Sequence, residues 1–576
     1  MPNQRAFNKQ RVFLVKNMIL GLDVGGTQTD AVILENGEVA ASCKTVNRPN
    51  LLETLNLAID DILSRVDDPG KIRRMVFSTT MATNAIVQDK MDPAGMIISA
   101  GPGMNPLWFE VGPSFHLVKG CMDHRGQEVT PINKAQVLGA AASIQKQGID
   151  LCGVVCKFSV RNPSHENLAG EWINPDFDFV ALGHRFSGSL NFPRRVATTY
   201  LNAALYKVHK RFVDALEKCL ARKGLTAPRY LMKPDGGTVN LASSHCFPAQ
   251  ASQSGPAASI MGALALDSCK GQSLVLDIGG TTTDMALMFD GLPLLVPGGI
   301  LLGNYQTSIR SLQSRSIGMG GDSKISVDEA GELTIGPMRD GSPVAFGGPS
   351  PTPTDALVTL GLMKEGNTEA ATQAMKLLGE RLDLDAVACS HRVLRQMALG
   401  IARQALEFVN YVNDRPVYTI HEVIQSVEVQ PEALVVLGGP AAMLAPYLER
   451  AFALPCRVPP HFAVANAVGA AAARVTSEIT LQADTQRGTA VIPEAGLELP
   501  VPRDFSMSQA QQMALEALKA RAAKEGATEG DFSYAVTERE SFNMIRGSGR
   551  TGKNIRLKLT IVPGLIPEWE HKEAAC

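Results

Sequence analysis

The sequence predicts a mixed α/β protein built from two related halves, and three observations carry that expectation. One segment is written twice, LDVGGTQTDAVILENG from Leu22 and LDIGGTTTDMALMFDG from Leu276, identical without gaps at Leu, Asp, both Gly, both Thr, Asp and a final Gly. Strand-like apolar runs and segments with helical apolar spacing both occur along most of the chain. The 576 residues suffice for two or three domains with full cores, and 45% apolar with 19% charged residues suits a soluble globular chain.

Each copy of the repeat has an apolar run leading to Asp, then Gly-Gly-Thr-x-Thr-Asp, then apolar residues again. That pattern reads as strand, tight turn, strand. Its glycines are expected to adopt backbone angles closed to other residues and to let a ligand approach the main chain. Threonine hydroxyls and free N–H groups suit a phosphate, and Asp suits a hydrated magnesium ion. A single Gly-Gly turn is an ordinary hairpin signal. Turn geometry needs glycine, but it does not need Asp23 matched by Asp277, or Asp30 matched by Asp284. Two such hairpins facing each other across a cleft would hold the phosphate tail of one nucleotide and its metal.

The remaining elements follow in order. Ile19 to Leu34 is the first strand pair, Thr54 to Val66 is amphipathic, and Met75 to Ser78 is a short strand. Thr79 to Gln88 reads as a loop entering a helix. From Ala94 to about Arg195 many Gly and Pro residues mark an insertion, with strands at Met96–Ser99 and Gly153–Phe158 and a helix at Lys134–Gln147. Ala197 to Lys223 reads as one long helix ending at Gly224, and Arg229–Met232 as a strand ending at Pro-Asp-Gly-Gly. Ser254 is placed as a helix cap, with Pro256 in the first turn. Ile317–Ile325 is a Gly-rich turn, and Glu369 to Val412 a long helical stretch. Leu434–Phe452 reads as strand, Gly-Gly turn and helix, and Ala465–Ala473 as a small-residue helix suited to close packing. Composition changes near Thr476, and Ser506 to the end reads as a small α/β unit. The expected domains are therefore an extension over 1–17, a first half over 18–230 with its insertion at about 94–195, a second half over 231–475, and a C-terminal domain over 476–576.

Several classes are excluded. A net charge of −2 without long basic runs argues against nucleic acid or an anionic membrane surface as partner. No apolar run approaches the roughly 20 residues of a membrane span. Ten scattered cysteines without C-x-x-C, and no export signal, indicate reduced thiols in a cytoplasmic protein. The first seventeen residues read as a loose extension, not a signal peptide. GSGRTGKN (Gly547–Asn554) nearly matches a P-loop, but Asn554 replaces the metal-binding hydroxyl and IRLKLTIV alternates as a strand, so it reads as a hairpin loop. The histidines, among them His116, His124, His165, His184 and His245, are isolated and read as structural.

Five further segments accompany the hairpins: STTMATNAIV (Ser78–Val87), MKPDGG (Met232–Gly237), SGPAA (Ser254–Ala258), IGMGGDS (Ile317–Ser323) and TPTDA (Thr352–Ala356). In this order, over residues 18–475, they resemble the hydantoinase/oxoprolinase A family. The resemblance implies the two-domain fold shared by actin, sugar kinases and heat-shock chaperones. It also implies ATP-driven opening of a cyclic amide such as 5-oxoproline or a hydantoin. Phosphoryl transfer to the amide oxygen would activate the ring for attack by water, a step that needs positioning and charge neutralisation.

In that reading Asp23 and Asp277 hold Mg2+. Gly25, Gly26, Thr27 and Thr29, with Gly279, Gly280, Thr281 and Thr283, grip the β- and γ-phosphates of ATP. Gly438 and Gly439 let adenosine lie against the backbone, and Asp30 and Asp284 brace their hairpins. Thr79, Thr80, Thr83 and Asn84 are either a capped helix start or substrate contacts, and Asp235 is either a turn residue or a ligand. Arg315 and Asp322 are further site candidates. The implied partners are a small cyclic amide and a separate B-type subunit, in an oligomeric assembly. The chain departs from the family at Gln28 (usually Phe), Phe77-Ser78 (His-Gly), Arg315 (His) and Asp322 (Gly), all beside substrate or metal groups. Two alternatives stay open: a small-molecule kinase of the sugar-kinase type, and a nucleotide-gated activator ATPase.

Overall fold

A six-stranded sheet is built around the first repeat in the computed structural model, which describes residues 18–414, 428–546 and 549–569. The extension expected over residues 1–17 lies outside them. Strands β1 (Met18–Val24), β2 (Gln28–Glu35) and β3 (Glu38–Val46) run antiparallel in succession, and β4 (Ile72–Thr79) pairs parallel with the other side of β1. β5 (Arg229–Met232) and β6 (Thr238–Asn240) complete the order β6-β5-β4-β1-β2-β3.

The second repeat is placed alike. β7 (Gln272–Ile278) pairs antiparallel with β8 (Thr283–Phe289), which carries β9 (Ser314–Ile317) at its outer edge. β10 (Ala433–Leu437) lies parallel to β7, as β4 does to β1. In both copies the register sets the two Asp residues opposite each other, Asp23 with Asp30 and Asp277 with Asp284. Both metal-site candidates thus lie near the carboxyl ends of central strands, where open α/β sheets bind ligands.

Three helices concern the site: α1 (Met81–Val87), α2 (Ser254–Leu266) and α3 (Ala465–Ala472). Helices α2 and α3 lie in one core with Val32 and Val76 of the first sheet and Val275 and Val435 of the second. They form a layer between the sheets. The outer face of the first sheet is covered by helices Leu51–Leu63 and Tyr206–Arg222, and that of the second by Ala386–Asn413 and Ala441–Phe452.

Glycine makes this inner layer possible. A Cβ on Gly262 would lie 2.0 Å from the Ala465 carbonyl oxygen, one on Gly469 2.0 Å from that of Ala258, and one on Gly21 2.3 Å from that of Ala467. The two helices and β1 therefore touch backbone to backbone, and the run of alanines in α3 supplies no side chain to hold them apart.

The insertion contains a parallel sheet of Gly95–Ser99, Ser114–Leu117, Leu151–Cys156 and Phe179–Leu182. Helix Ser164–Ile173 and the strands Ser114–Leu117 and Phe179–Leu182 were not among the elements expected from the sequence. At the other end, helix Met507–Lys524 packs on a five-stranded antiparallel sheet that begins at Glu478. Within it Tyr534–Arg546 pairs with Gly549–Ile561, with Ile555, Leu557, Leu559 and Ile561 buried. The P-loop look-alike is therefore part of a hairpin, although Gly547 and Ser548 lie outside the described residues. No described helix is long and apolar enough to cross a membrane.

Two expected long helices are each a pair. Phe192–Ala204 and Tyr206–Arg222 are separated at Leu205, and Thr368–Glu380 and Ala386–Asn413 by a turn in which Asp383 takes φ +54°. Apolar spacing runs through both breaks, so periodicity alone does not see them.

Adding a methyl group at Gly469 must push α3 off α2. Gly469→Ala is expected to lose about 2–3 kcal/mol of stability, read as a lower denaturant midpoint. Gly139→Ala is the control: it lies in helix Lys134–Lys146 with no atom within 4 Å of the added Cβ, and should be neutral or slightly stabilising.

Candidate active site

The two turns close identically. Gly25 N donates to Gln28 O at 3.0 Å, and Gly279 N to Thr282 O at 2.9 Å. None of the four turn glycines adopts a left-handed φ, contrary to expectation. Their need for glycine is spatial: a Cβ on Gly25 would lie 2.9 Å from Gln28 O, and one on Gly280 2.7 Å from Asp322 Oδ2. Gly26 has nothing within 4 Å, and Gly26, Thr27, Gly280 and Thr281 are exposed at the tips.

Thr29 and Thr283 differ from the reading given them. Both are fully buried, and their hydroxyls donate inward, Thr29 to Asn47 Oδ1 at 2.7 Å and Thr283 to the Met319 carbonyl at 2.6 Å. They lie at the start of the strands that leave each turn, Thr29 second in β2 and Thr283 first in β8, and their side chains face into the protein. They act as hairpin braces. Asn47 also donates to Gly25 O at 2.8 Å.

The carboxylates of the two hairpins converge. Burial pushes Asp23 up to about 7, and repulsion from Asp30 and from Asp277 adds to it. Asp277 is raised chiefly by burial, against a hydrogen bond from Ser259. Asp284 is pushed up to about 7 by burial and then by Asp277. Each candidate metal ligand is held by the inner helix layer. Ser259 of α2 donates to Asp277 Oδ2 at 2.5 Å, and Asn466 of α3 donates to Asp23 Oδ2 at 2.6 Å. Ser78 donates to the other Asp23 oxygen. One cation enters the group: Lys44, paired with Asp30 at 2.7 Å. Among the described residues, no three His, Cys, Asp or Glu side chains cluster at metal-ligand spacing. The sequence reading missed Asn466, Ser259 and Lys44. Asn466 had a signal, as the one polar side chain in a run of Ala, Val and Gly.

Gly438 touches the same group. It takes φ +92°, and a Cβ there would lie 2.2 Å from Ile278 O and 2.7 Å from Asp277 Oδ1. Gly439 is exposed and open. The helix that follows faces Ala386–Asn413 across a pocket of about 480 Å3 lined by His391, Arg395, Leu399, Met443, Tyr447 and Arg450.

The Thr79–Asn84 segment divides. Thr79 and Thr83 are structural: Ser254 Oγ donates to Thr79 O at 2.8 Å and accepts from Thr79 N at 3.1 Å, while Thr83 Oγ1 accepts from Gln253 N at 2.8 Å. Ser254 is thus the first residue of α2, not its cap, and ties that helix to the end of β4. Thr80 precedes α1 without a side-chain cap bond, and its N–H reaches Val24 O at 3.2 Å, beside the first turn. Asn84 is exposed. Asp235 closes its own turn by accepting from Gly237 N at 3.1 Å. Burial alone would raise it, but Lys233, Arg310 and the Thr476 hydroxyl hold it below the usual carboxylate range. These groups engage both of its oxygens. Arg315 pairs with Glu407 at 3.6 Å. Asp322 N donates to Gly280 O at 2.6 Å, so the Gly-rich turn at 317–323 is fastened to the second hairpin turn.

The raised carboxyls imply a pH effect in metal-free, nucleotide-free protein. Between about 3.8 and 7, folded Asp284 retains a proton that the unfolded chain releases. Stability is therefore greatest below that window and declines as pH rises through it. Asp284→Asn should remove its share of the decline, leaving the variant about 2 kcal/mol more stable than the parent at pH 8 and no more stable at pH 4. Chemical denaturation at the two pH values measures it.

A model of the hydantoinase/oxoprolinase N-terminal region matches residues 19–176, and the hydantoinase/oxoprolinase model matches 195–479. Caprolactamase subunit alpha from Pseudomonas jessenii is 25% identical over 466 residues, 74% of this chain and 65% of that protein. The chain thus spans less than two thirds of that relative's length. An acetone carboxylase structure superposes with TM-score 0.70 at 16% identity, covering 96% of this chain and 88% of that one. The ATP-dependent caprolactamase of Pseudomonas jessenii superposes with TM-score 0.65 at 19% identity, covering 94% and 87%. With two adjoining family models accounting for most of its length, this chain belongs to the hydantoinase/oxoprolinase family.

Proposed function

We propose that the chain is the A-type subunit of an ATP-dependent cyclic-amide hydrolase with an actin-like arrangement, its halves meeting at α2 and α3. The observation that carries this reading is that Asp23 and Asp277, equivalent residues of two like hairpins, are each held by one of two helices in backbone contact. The relative named caprolactamase subunit alpha supports a lactam substrate and a partner subunit. An unstrained lactam carbonyl is a poor electrophile. Moving the γ-phosphoryl group of ATP to its oxygen forms a P–O bond and releases ADP. Water then adds to the carbon, the C–N bond breaks as the nitrogen takes a proton, and a second water hydrolyses the resulting acyl phosphate to carboxylate and inorganic phosphate.

The residues fit such a nucleotide. A buried group of carboxylates with one lysine favours added positive charge. Carboxylates of this kind suit a Mg2+ ion that keeps several of its waters. Bound Mg2+ would supply charge neutralisation and orientation of the phosphate tail. Asp23 and Asp277 would accept from its waters, while Thr27, Thr281 and the turn N–H groups bind phosphate oxygens. Gly438 and Gly439 would let the sugar pass, and the base would enter the pocket between Arg395 and Tyr447. Thr80 and Asn84, beside the first turn, remain the substrate candidates.

The test is incubation of the chain with ATP, Mg2+ and a panel of lactams and hydantoins, with and without a B-type subunit. Phosphate release coupled to ring opening is expected. A stable phosphorylated product would instead indicate a kinase, and ATP turnover indifferent to every small molecule an activator. Asp277→Asn should lower ATP turnover at least about 100-fold with unchanged circular dichroism. Undiminished turnover would remove Asp277 from the metal site.

A further inference from the structure

The second phosphate turn carries a cation of its own. Arg339 lies beyond the Gly-rich segment, with its guanidinium held on three sides. Nε donates to Gly341 O at 2.9 Å and one terminal nitrogen to Asp322 Oδ2 at 2.9 Å. The other terminal nitrogen reaches only the Thr281 hydroxyl, at 3.3 Å. Two strong bonds therefore fix the plane of the guanidinium, and the third donor rests on a neutral, exposed turn hydroxyl. Asp322 is itself fastened. Its N–H donates to Gly280 O at 2.6 Å, and its Oδ1 accepts from Thr354 Oγ1 at 3.3 Å.

The charge balance gives this position meaning. Asp23, Asp30, Asp277 and Asp284 gather at the two turns, and Lys44 is already paired with Asp30. A nucleotide tail adds several more negative charges. A guanidinium presents a fork of donors matched to phosphate oxygens and is always charged. We infer that Arg339 is a phosphate-binding residue that contacts the terminal phosphoryl group at Thr281, and that Asp322 is the positioning residue that aims it. This inference rests on the nucleotide reading of the site and assigns a further group to it. Arg339 forms no covalent bond: its spare N–H donors exchange the Thr281 hydroxyl for phosphoryl oxygens, and they stabilise the charge those oxygens carry during transfer. The reach of Asp322 into this role also explains an aspartate in a Gly-rich turn, where its carboxylate lies against Gly280.

The test compares ATP and ADP binding by calorimetry on the full chain, with steady-state ATP turnover alongside. Arg339→Ala should weaken ATP about tenfold or more while changing ADP less than twofold, and should lower kcat at least about 100-fold. Arg339→Lys should restore part of the ATP affinity, and added methylguanidine should rescue Arg339→Ala. Asp322→Asn should lower kcat about tenfold with little change in ADP binding, because it misaims the guanidinium without removing it. Equal weakening of ATP and ADP, or unchanged ATP binding in a variant with parental thermal unfolding, would overturn the inference. If the parent chain binds neither nucleotide, the reading of the whole site fails and this assignment with it. If the parent binds both and Arg339→Ala leaves their ratio intact, only this assignment fails.

Discussion

Everything at the site depends on how closely α2 and α3 pack. Gly262, Gly469 and Gly21 remove the atoms that would separate these backbones. The result is a thin layer from which Ser259 reaches one carboxylate and Asn466 the other. Protein interiors are dense enough that a methyl group at such a contact cannot be absorbed without moving a backbone. Moving either helix by even one ångström would break its hydrogen bond to Asp277 or Asp23. The small-residue composition of α3 is thus a requirement of the site as much as of the core.

The electrostatics follow from that geometry. Bringing buried carboxylates together without equal countercharge disfavours their ionised forms, and both Asp23 and Asp284 are pushed up to about 7. A site so arranged favours whatever brings positive charge. Hydrogen bonds from Asn466, Ser259 and Ser78 do not neutralise the carboxylates; they fix where the oxygens point. The site therefore combines rigid acceptor positions with an unmet demand for cationic charge, a combination suited to a hydrated cation and a polyphosphate.

What the sequence made legible was local. The repeat declared both hairpins because their alternation and turn residues are contained within sixteen positions. The Gly438-Gly439 turn and the close-packing helix at Ala465 were legible for the same reason. The four threonines of the repeats looked equivalent, yet Thr27 and Thr281 sit exposed at turn tips while Thr29 and Thr283 lie in the strands that follow and are buried. Long-range partners left no local trace. Asn466 lies 443 residues from Asp23, and Asp235 meets Thr476 across 241. Asp235 looked equally like a turn residue and a ligand because its deciding partners, Lys233 excepted, come from distant segments.

The sheets are also tied away from α2 and α3. The segment between β8 and β9 crosses to the first core, where Leu302 and Ile309 are buried, and Ser308 N donates to Thr198 Oγ1 at 2.8 Å. The C-terminal sheet is joined to the insertion by Arg125 and Asp484 at 2.6 Å. Just before that sheet's first strand, Thr476 donates to Asp235. Sliding one half past the other would break these ties together with the glycine contacts, since packed interfaces adopt discrete arrangements and do not deform continuously. The parts with space around them are Gly26 and Gly439. The space between the turns is thus lined by carboxylates whose positions the helix layer fixes, which leaves the halves themselves little freedom to rearrange.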